Sequence, residues 1–375
     1  NENYVSYEKI YNNRFDVLRL AFGRFGKIIT DSRTKLAKGL PEYKKYDNFC
    51  RDNAEWLDDY SLFMSVKTYF DNKSWSEWDD DIRFRTPQGM AKYKELLKAD
   101  IDFWKFVQYE FDKQWMALKK YANDKRIDII GDIPIYMGYD SADVWACSGQ
   151  FLLDDNLTPV KVAGVPPDAF SEDGQKWGNP LYDWEKMESD GFSWWKKRMK
   201  HSARIYDVIR IDHFIGIVRY YTIPVDMPDA RQGTYMQGPG QKLLDAINEA
   251  VGDKKIIAED LGVSLPEVDK ILEDNQYPSM KVLEFAFGGD RKNPHLPFNY
   301  KTNCVVYGGT HDNDTIRGYV DKVPSWQLRH IYDYLGVDNI HAVHKAMIKC
   351  GYASIAATAI YQMQDILGLG GDARM

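Results

Sequence analysis

The chain has 375 residues, 44% of them hydrophobic and 28% charged, the balance of a soluble globular protein with a large core. Its net charge is −7, with Lys and Arg spread along the chain, which argues against a nucleic-acid partner, since phosphate binding needs concentrated positive charge. No apolar run approaches the roughly 20 residues of a membrane helix and no secretory signal opens the sequence, so no membrane partner is expected.

The first third reads as helical. Tyr11 to Phe25 and Ser61 to Phe70 carry amphipathic patterns. A longer one runs from Met90 to about Lys125, with Phe103, Phe106, Val107, Phe111, Met116 and Leu118 largely at three- and four-residue spacing. These aromatic stripes read as helix-packing faces. Asp79-Asp80-Asp81 reads as a solvated turn, and Asp71 to Asp81 is no calcium loop, because Ser76 stands where such a loop needs Gly. Cys50, Cys147, Cys304 and Cys350 are far apart without CxxC spacing, which points to reduced thiols in a cytoplasmic protein.

After residue 126 short apolar runs alternate with helical stretches, and several end in acids: IDIIGDIPIY (127–136), DVIRIDHF (207–214), KKIIAEDLG (254–262) and CVVYGGTHDND (304–314). KVLEFAF (281–287) and ATAIYQMQ (357–364) read as further members. Such alternation predicts βα units and a parallel sheet buried on both faces, in a barrel or in a doubly wound open sheet. In a βα barrel, chemistry sits where strands end at the carboxyl side. Between the first two strands, about 145 to 190, lies a stretch rich in Gly, Pro, Asp and Trp, expected to be a long irregular loop over substrate. Trp177, Tyr182 and Trp184 in it could stack on flat sugar faces.

Cleaving a glycosidic bond with retention needs one carboxylate as nucleophile and another as acid and then base, about 5–5.5 Å apart. In VIRIDHF, strand alternation puts Arg210 and Asp212 on one face, so the guanidinium is expected to keep Asp212 charged. In IIAEDLG, Glu259 has an acidic neighbour and would approach the nucleophile's charge, which suits a proton donor. Each motif taken singly also fits a helix cap or a salt bridge. GTHDNDT (309–315) offers Asp312 as a third carboxylate and His311 as a donor to sugar hydroxyls, and lacks the second His or Cys of a metal site. Gly368 to Ala373 matches a dinucleotide glycine pattern without room for the helix and acid that such a site requires.

Taken together, GDIPIYMGYDSADVWA (131–146), GVPPDAFSEDGQKWGNPLYDW (164–184), RIDHFIG (210–216), IAEDLG (257–262), GTHDNDT and QDILGLGGDARM (364–375) resemble the amylomaltase family, the 4-α-glucanotransferases or disproportionating enzymes related to α-amylases. The resemblance implies an α/β fold, a (β/α)8 TIM barrel with helical insertions. Residues 1–89 would be such an insertion, and 90–375 the barrel core carrying the loop at about 145–190. The family's opening motifs, first barrel strand and closing segment have no counterpart here. The resemblance further implies Asp212 as nucleophile, Glu259 as acid/base and Asp312 as the transition-state carboxylate. Arg210 and His311 would contact the first sugar, Asp132 and Tyr136 match the first strand-end motif, and Asp168, Ser171, Trp177 and Asn179 match the loop over the acceptor groove. No metal or organic cofactor is implied, and the partners would be α-1,4-glucan donor and acceptor. Ile215 stands where many members have Arg, and Tyr235 where Trp is common. The same carboxylates would equally serve an amylase-like hydrolase, and the aromatic groove a catalytically inactive glucan-binding protein.

Overall fold

Aromatic side chains at helical spacing organise the N-terminal part of the chain. The computed structural model describes residues 5–32, 41–168, 171–262 and 265–374. Its first helices are α1 (Tyr7–Ser32), α2 (Pro41–Asp52), α3 (Ala54–Tyr69), α4 (Asp80–Arg83), α5 (Pro87–Leu96) and α6 (Lys98–Asp124). Tyr46 and Phe49 of α2, Leu57 of α3, and Phe106 and Tyr109 of α6 form one buried cluster, against which Phe22 and Phe25 of α1 pack. Phe25 lies 5.0 Å from Phe106, ring centre to ring centre. The stripes are packing faces over part of their length; Tyr11, Val17 and Leu20 of α1 and Tyr69 of α3 are exposed. Phe111 and Leu118 on the stripe of α6 are exposed as well.

The pattern from Met90 to Lys125 is two helices, not one. Leu97 ends α5 and starts α6 at φ −105° and ψ 18°. Thr86 caps α5 by accepting from the Gly89 amide at 3.1 Å, and Pro87 supplies a preset first turn. Gly89 is required there, because a Cβ would stand 2.2 Å from the Asp81 carbonyl oxygen.

Among the described residues ten strands follow: β1 (Ile130–Pro134), β2 (Lys161–Val165), β3 (Gln175–Pro180), β4 (Val208–Asp212), β5 (Arg219–Pro224), β6 (Thr234–Gln237), β7 (Lys255–Ala258), β8 (Ser279–Val282), β9 (Cys304–Tyr307) and β10 (Thr358–Ile360). Five of the six apolar runs picked from the sequence contain a strand and 281–287 overlaps one, and these are parallel: β1-β4-β7 in one sheet, β10-β9-β8 in another. The fold is mixed α/β. Among the described residues the parallel strands form two separate sheets of three. The Ala258 amide donates to the Pro278 carbonyl at 3.3 Å where the chain of one sheet approaches the other.

Two expectations need correction. The run 281–287 is not all strand: β8 starts earlier, at Ser279, and stops at Val282, and Leu283–Phe285 turns as a 3-10 helix. The stretch 145–190 is not an irregular loop either. It contains β2 and β3, which join β5 and β6 in an antiparallel sheet of order β3-β2-β5-β6. The register of β2 and β3 shifts between Val162 and Gly164, and a Cβ at Gly164 would lie 2.1 Å from the Gln175 carbonyl oxygen.

The chain divides into two units. One comprises residues 1–128, 136–189 and 221–234, and the other 129–135, 190–220 and 235–375. Helix packing carries the first unit well past residue 89, through α6. In the second unit, Ile257, Met280, Val282, Val305 and Tyr307 form a buried cluster spanning β7, β8 and β9. A larger cluster, including Leu283, Phe287, Cys304, Val306, Ile316, Val343 and Met347, backs the second parallel sheet. No helix among the described residues is long and apolar enough to cross a membrane.

Gly131 in β1 faces the Tyr206 ring so closely that a Cβ would stand 2.1 Å from it. Gly131→Ala is expected to cost about 1–3 kcal/mol by overpacking. Denaturant midpoints would show it, and the double substitution with Tyr206→Ala should cost less than the two single penalties added.

Candidate active site

Parallel register in the second unit delivers acids and a base to one sheet end. Asp132 on β1 is the register partner of Arg210 on β4, and Pro134 that of Asp212. On the other side Ile211 pairs with Ala258 of β7, so Asp212 and Glu259 leave neighbouring strands at the next step. The backbone continues that ladder, with the Glu259 amide donating to the Ile211 carbonyl at 3.0 Å and the Phe214 amide to the Glu259 carbonyl at 3.0 Å.

Arg210 is buried, and one guanidinium nitrogen, Nη1, donates to both oxygens of Asp132 at 2.6 and 2.7 Å and to Oδ1 of Asp212 at 3.0 Å. Its Nε donates to the Met280 sulfur at 3.4 Å. The predicted same-face pairing of Arg210 and Asp212 is thus observed. Its electrostatic outcome differs from expectation. Burial raises the Asp212 pKa above the ordinary value, and Arg210 offsets this only in part, with Asp132 and Asp312 adding to the rise.

Glu259 is the more strongly shifted acid. Burial, first, and then the charge of Asp212 push its pKa up to about 7, against the lowering effect of amide donors and Arg210. Its oxygens accept from the His213 amide at 2.7 Å and the Leu261 amide at 2.8 Å, which fixes the carboxyl. The adjacent acid in the sequence contributes differently from expectation: Asp260 accepts from the Met280 amide at 2.7 Å and serves the backbone.

The loop after β9 brings the third acid. His311 Nε2 lies 3.9 Å from Asp132 and 3.5 Å from Asp312, and both His311 and Asp312 are exposed. Their turn is pinned from below. Asn313 Oδ1 accepts from the Thr310 amide and hydroxyl, each at 2.8 Å, and Gln362 Nε2 donates to the Thr310 carbonyl at 2.7 Å. Arg374 donates to the Asp312 carbonyl at 2.8 Å. A cavity of about 180 Å³ opens beside Arg210, lined also by Tyr307, Thr310, His311, Tyr361 and Gln362.

Five of the expected substrate residues lie in the first unit. Tyr136 and Trp177 form a ring pair with centres 6.1 Å apart, and Tyr136 also stacks on Tyr182. Asn179 Nδ2 donates to the Met137 carbonyl at 2.9 Å, tying β3 to the segment after β1. Asp168 and Ser171 shape a turn in which Asp168 Oδ1 accepts from the Ser171 amide at 2.8 Å. Asp132, Arg210, Asp212, Glu259, His311 and Asp312 belong to the second unit and converge there.

Sequence reasoning missed the residues that hold this group. His213, at φ +53°, sits in the left-handed region between Asp212 and Phe214, and burial lowers its pKa to about 4. Arg374 and Gln362 stabilise the Asp312 turn from far along the chain, a role no local spacing signals. Among the described residues no group of three or more His, Cys, Asp or Glu is arranged to hold a metal ion.

Comparisons with known proteins identify the family of the chain. The family profile described as 4-alpha-glucanotransferase matches residues 1–375. The chain is 44% identical to a 4-alpha-glucanotransferase of Clostridium butyricum, over all of this chain and 75% of that protein. It is 43% identical to a chloroplastic/amyloplastic 4-alpha-glucanotransferase of Solanum tuberosum, over 93% of this chain and 61% of that one. Among solved structures, the amylomaltase from Streptococcus agalactiae in complex with acarbose superposes with a TM-score of 0.90 at 36% identity, covering 99% of this chain and 73% of the other. The amylomaltase from Corynebacterium glutamicum, at 18% identity and a TM-score of 0.70, shares the fold.

Substituting Arg210 with Met removes the cation that opposes burial at both acids. Asp212 and Glu259 should then both titrate at higher pH than in the native protein, as read by carboxyl 13C NMR.

Proposed function

The chain belongs to the 4-alpha-glucanotransferase family, and from that premise we propose that it moves α-1,4-glucan segments between maltodextrin chains through a covalent glycosyl-enzyme on Asp212. One observation carries this reading: Asp212 and Glu259 leave adjacent strand ends in unlike surroundings, the first against a buried guanidinium, the second against backbone amides and apolar burial.

An Asp212 oxygen attacks the anomeric carbon while Glu259 gives its proton to the departing glycosidic oxygen. The donor's reducing-end fragment leaves, and the bond to Asp212 forms as the glycosidic bond breaks. Glu259, now ionised, takes the proton from the 4-hydroxyl of an incoming glucan, whose oxygen displaces Asp212 and restores the starting enzyme. Two displacements retain the configuration. Arg210 stabilises the Asp212 carboxylate both before attack and as leaving group. We assign to Asp312 and His311, exposed on their pinned turn, the binding of ring hydroxyls that shift as the sugar flattens toward an oxocarbenium ion. The Tyr136–Trp177 ring pair, together with Asn179, Asp168 and Ser171, is the part of the first unit we assign to glucan contact.

We also read the six parallel strands as members of a (β/α)8 barrel, because Asp212 ends β4 and Glu259 follows β7, the carboxyl side where barrel chemistry sits. Four cysteines far apart in the sequence, without CxxC spacing, suit a reducing compartment such as the cytoplasm.

With maltotriose as sole substrate, the enzyme should release glucose and build a ladder of longer maltodextrins; shortening without a ladder would identify a hydrolase. Asp212→Asn should lower turnover at least about 10³-fold. Glu259→Gln incubated with an α-maltosyl fluoride should accumulate protein heavier by whole hexose units, with the adduct mapped to Asp212. An adduct elsewhere would refute the covalent assignment.

The pH dependence follows from the acid. Glu259 must carry its proton to act on donor, and that proton is lost as pH rises through about 7. The kcat/KM of disproportionation is therefore expected to decline above that pH.

A further inference from the structure

Behind the turn that carries Asp312 lies a second set of acids that the mechanism does not use. Glu284, just after β8, is 6% exposed, and Asp365, on the helix Met363–Leu367, is 1% exposed. Both approach the Gly308–Gly309 pair, Glu284 at both residues and Asp365 at Gly308. The Glu284 amide donates to the Gly308 carbonyl at 3.2 Å, and its Oε1 is so near Gly309 that a Cβ there would lie 2.6 Å from it. A Cβ on Gly308 would lie 3.3 Å from Asp365 Oδ2. Each acid has one buried oxygen with no hydrogen-bond partner among the described residues, Oε1 on Glu284 and Oδ2 on Asp365.

Two ionised carboxylates in that space would leave two orphaned acceptors and an uncompensated repulsion. One proton between them removes both faults. Asp365 is the better anion, since its Oδ1 already accepts from the Ile316 amide at 2.7 Å. The proton therefore belongs on Glu284. We infer that Glu284 is held as a neutral carboxylic acid whose hydroxyl donates to Asp365, and that this bond is a positioning device for the Gly308–Asp312 turn.

The other charges around Glu284 are consistent with this. Burial and the charges of Asp365 and Asp314 raise its pKa to about 8, and Arg374 opposes them. Asp314 is itself paired with Lys322 at 2.5 Å, and the neighbouring Tyr319 hydroxyl accepts from Gln327 at 2.8 Å. Loss of the proton would set two anions against the backbone of Gly308 and Gly309 and displace the turn that Arg374 and Asn313 otherwise hold. The functional consequence rests on the reading that Asp312 acts on the bound sugar; the proton itself does not.

The test separates the two. In Glu259→Gln, which removes the acid expected to titrate near 7, infrared spectroscopy should show a carboxylic-acid carbonyl band that disappears as pH rises through about 8. Its intensity should drop in Glu259→Gln/Glu284→Gln. No titrating band in Glu259→Gln, or one of unchanged intensity in the double variant, overturns the inference. In the otherwise native enzyme, kcat/KM on maltotriose should fall about a hundredfold per pH unit above both pKa values, and only about tenfold in Glu284→Gln, because one of two required protons is no longer titratable. Equal slopes with the infrared result intact would reject the role of the turn while leaving the proton assigned. Should Glu284→Gln fail to fold, the single Glu259→Gln spectrum decides whether the proton is there.

Discussion

The site is organised around a buried guanidinium. Arg210 is almost wholly out of water, and a cation in that position is tolerable only when anions surround it. Asp132 and Asp212 supply them, from the adjacent parallel strand and from two residues along its own. Those partners are themselves part-exposed, yet losing either leaves the buried cation under-compensated, so fold and chemistry share the same interaction. The carboxylate that forms a bond to sugar is also part of what makes the interior of the sheet end electrostatically acceptable.

From that cation the roles of the acids separate. Asp212 touches it directly, whereas Glu259 sits one strand over, deeper, with backbone amides at both oxygens. Burial lifts both pKa values, and the guanidinium holds the nucleophile's rise in check while the acid climbs to about 7. One acid can then be ionised while its neighbour keeps a proton, the condition that double displacement needs. Behind the third acid burial again lifts a carboxyl, opposed by Arg374, and on our inference one proton shared by Glu284 and Asp365 does there what Arg210 does in front.

Much of this could be read along the chain. A parallel strand buried on both faces is a short apolar run, and acids within or shortly after such runs marked β1, β4, β7 and β9 along the sequence. Alternation placed Arg210 and Asp212 together because a strand has a period of two. What failed was what depends on distant partners. β2 and β3 lie in a Gly- and Pro-rich stretch, and β2 becomes a strand by pairing with β5, some 60 residues on. Glu284 lies inside KVLEFAF, which reads in sequence as a further strand; the chain turns at Leu283 instead and buries it. The strength of burial at Asp212 was equally invisible, since a sequence shows which charges are neighbours and not how much water they have lost.

A crystal structure with a bound oligosaccharide inhibitor measures the central claim directly. The account predicts the Asp212 and Glu259 carboxyls flanking one glycosidic linkage, about 5–5.5 Å apart, with Asp312 on the same sugar ring. A separation of about 6.5–9.5 Å with an ordered water between Asp212 and the anomeric carbon, or the two acids on different sugars, would contradict it.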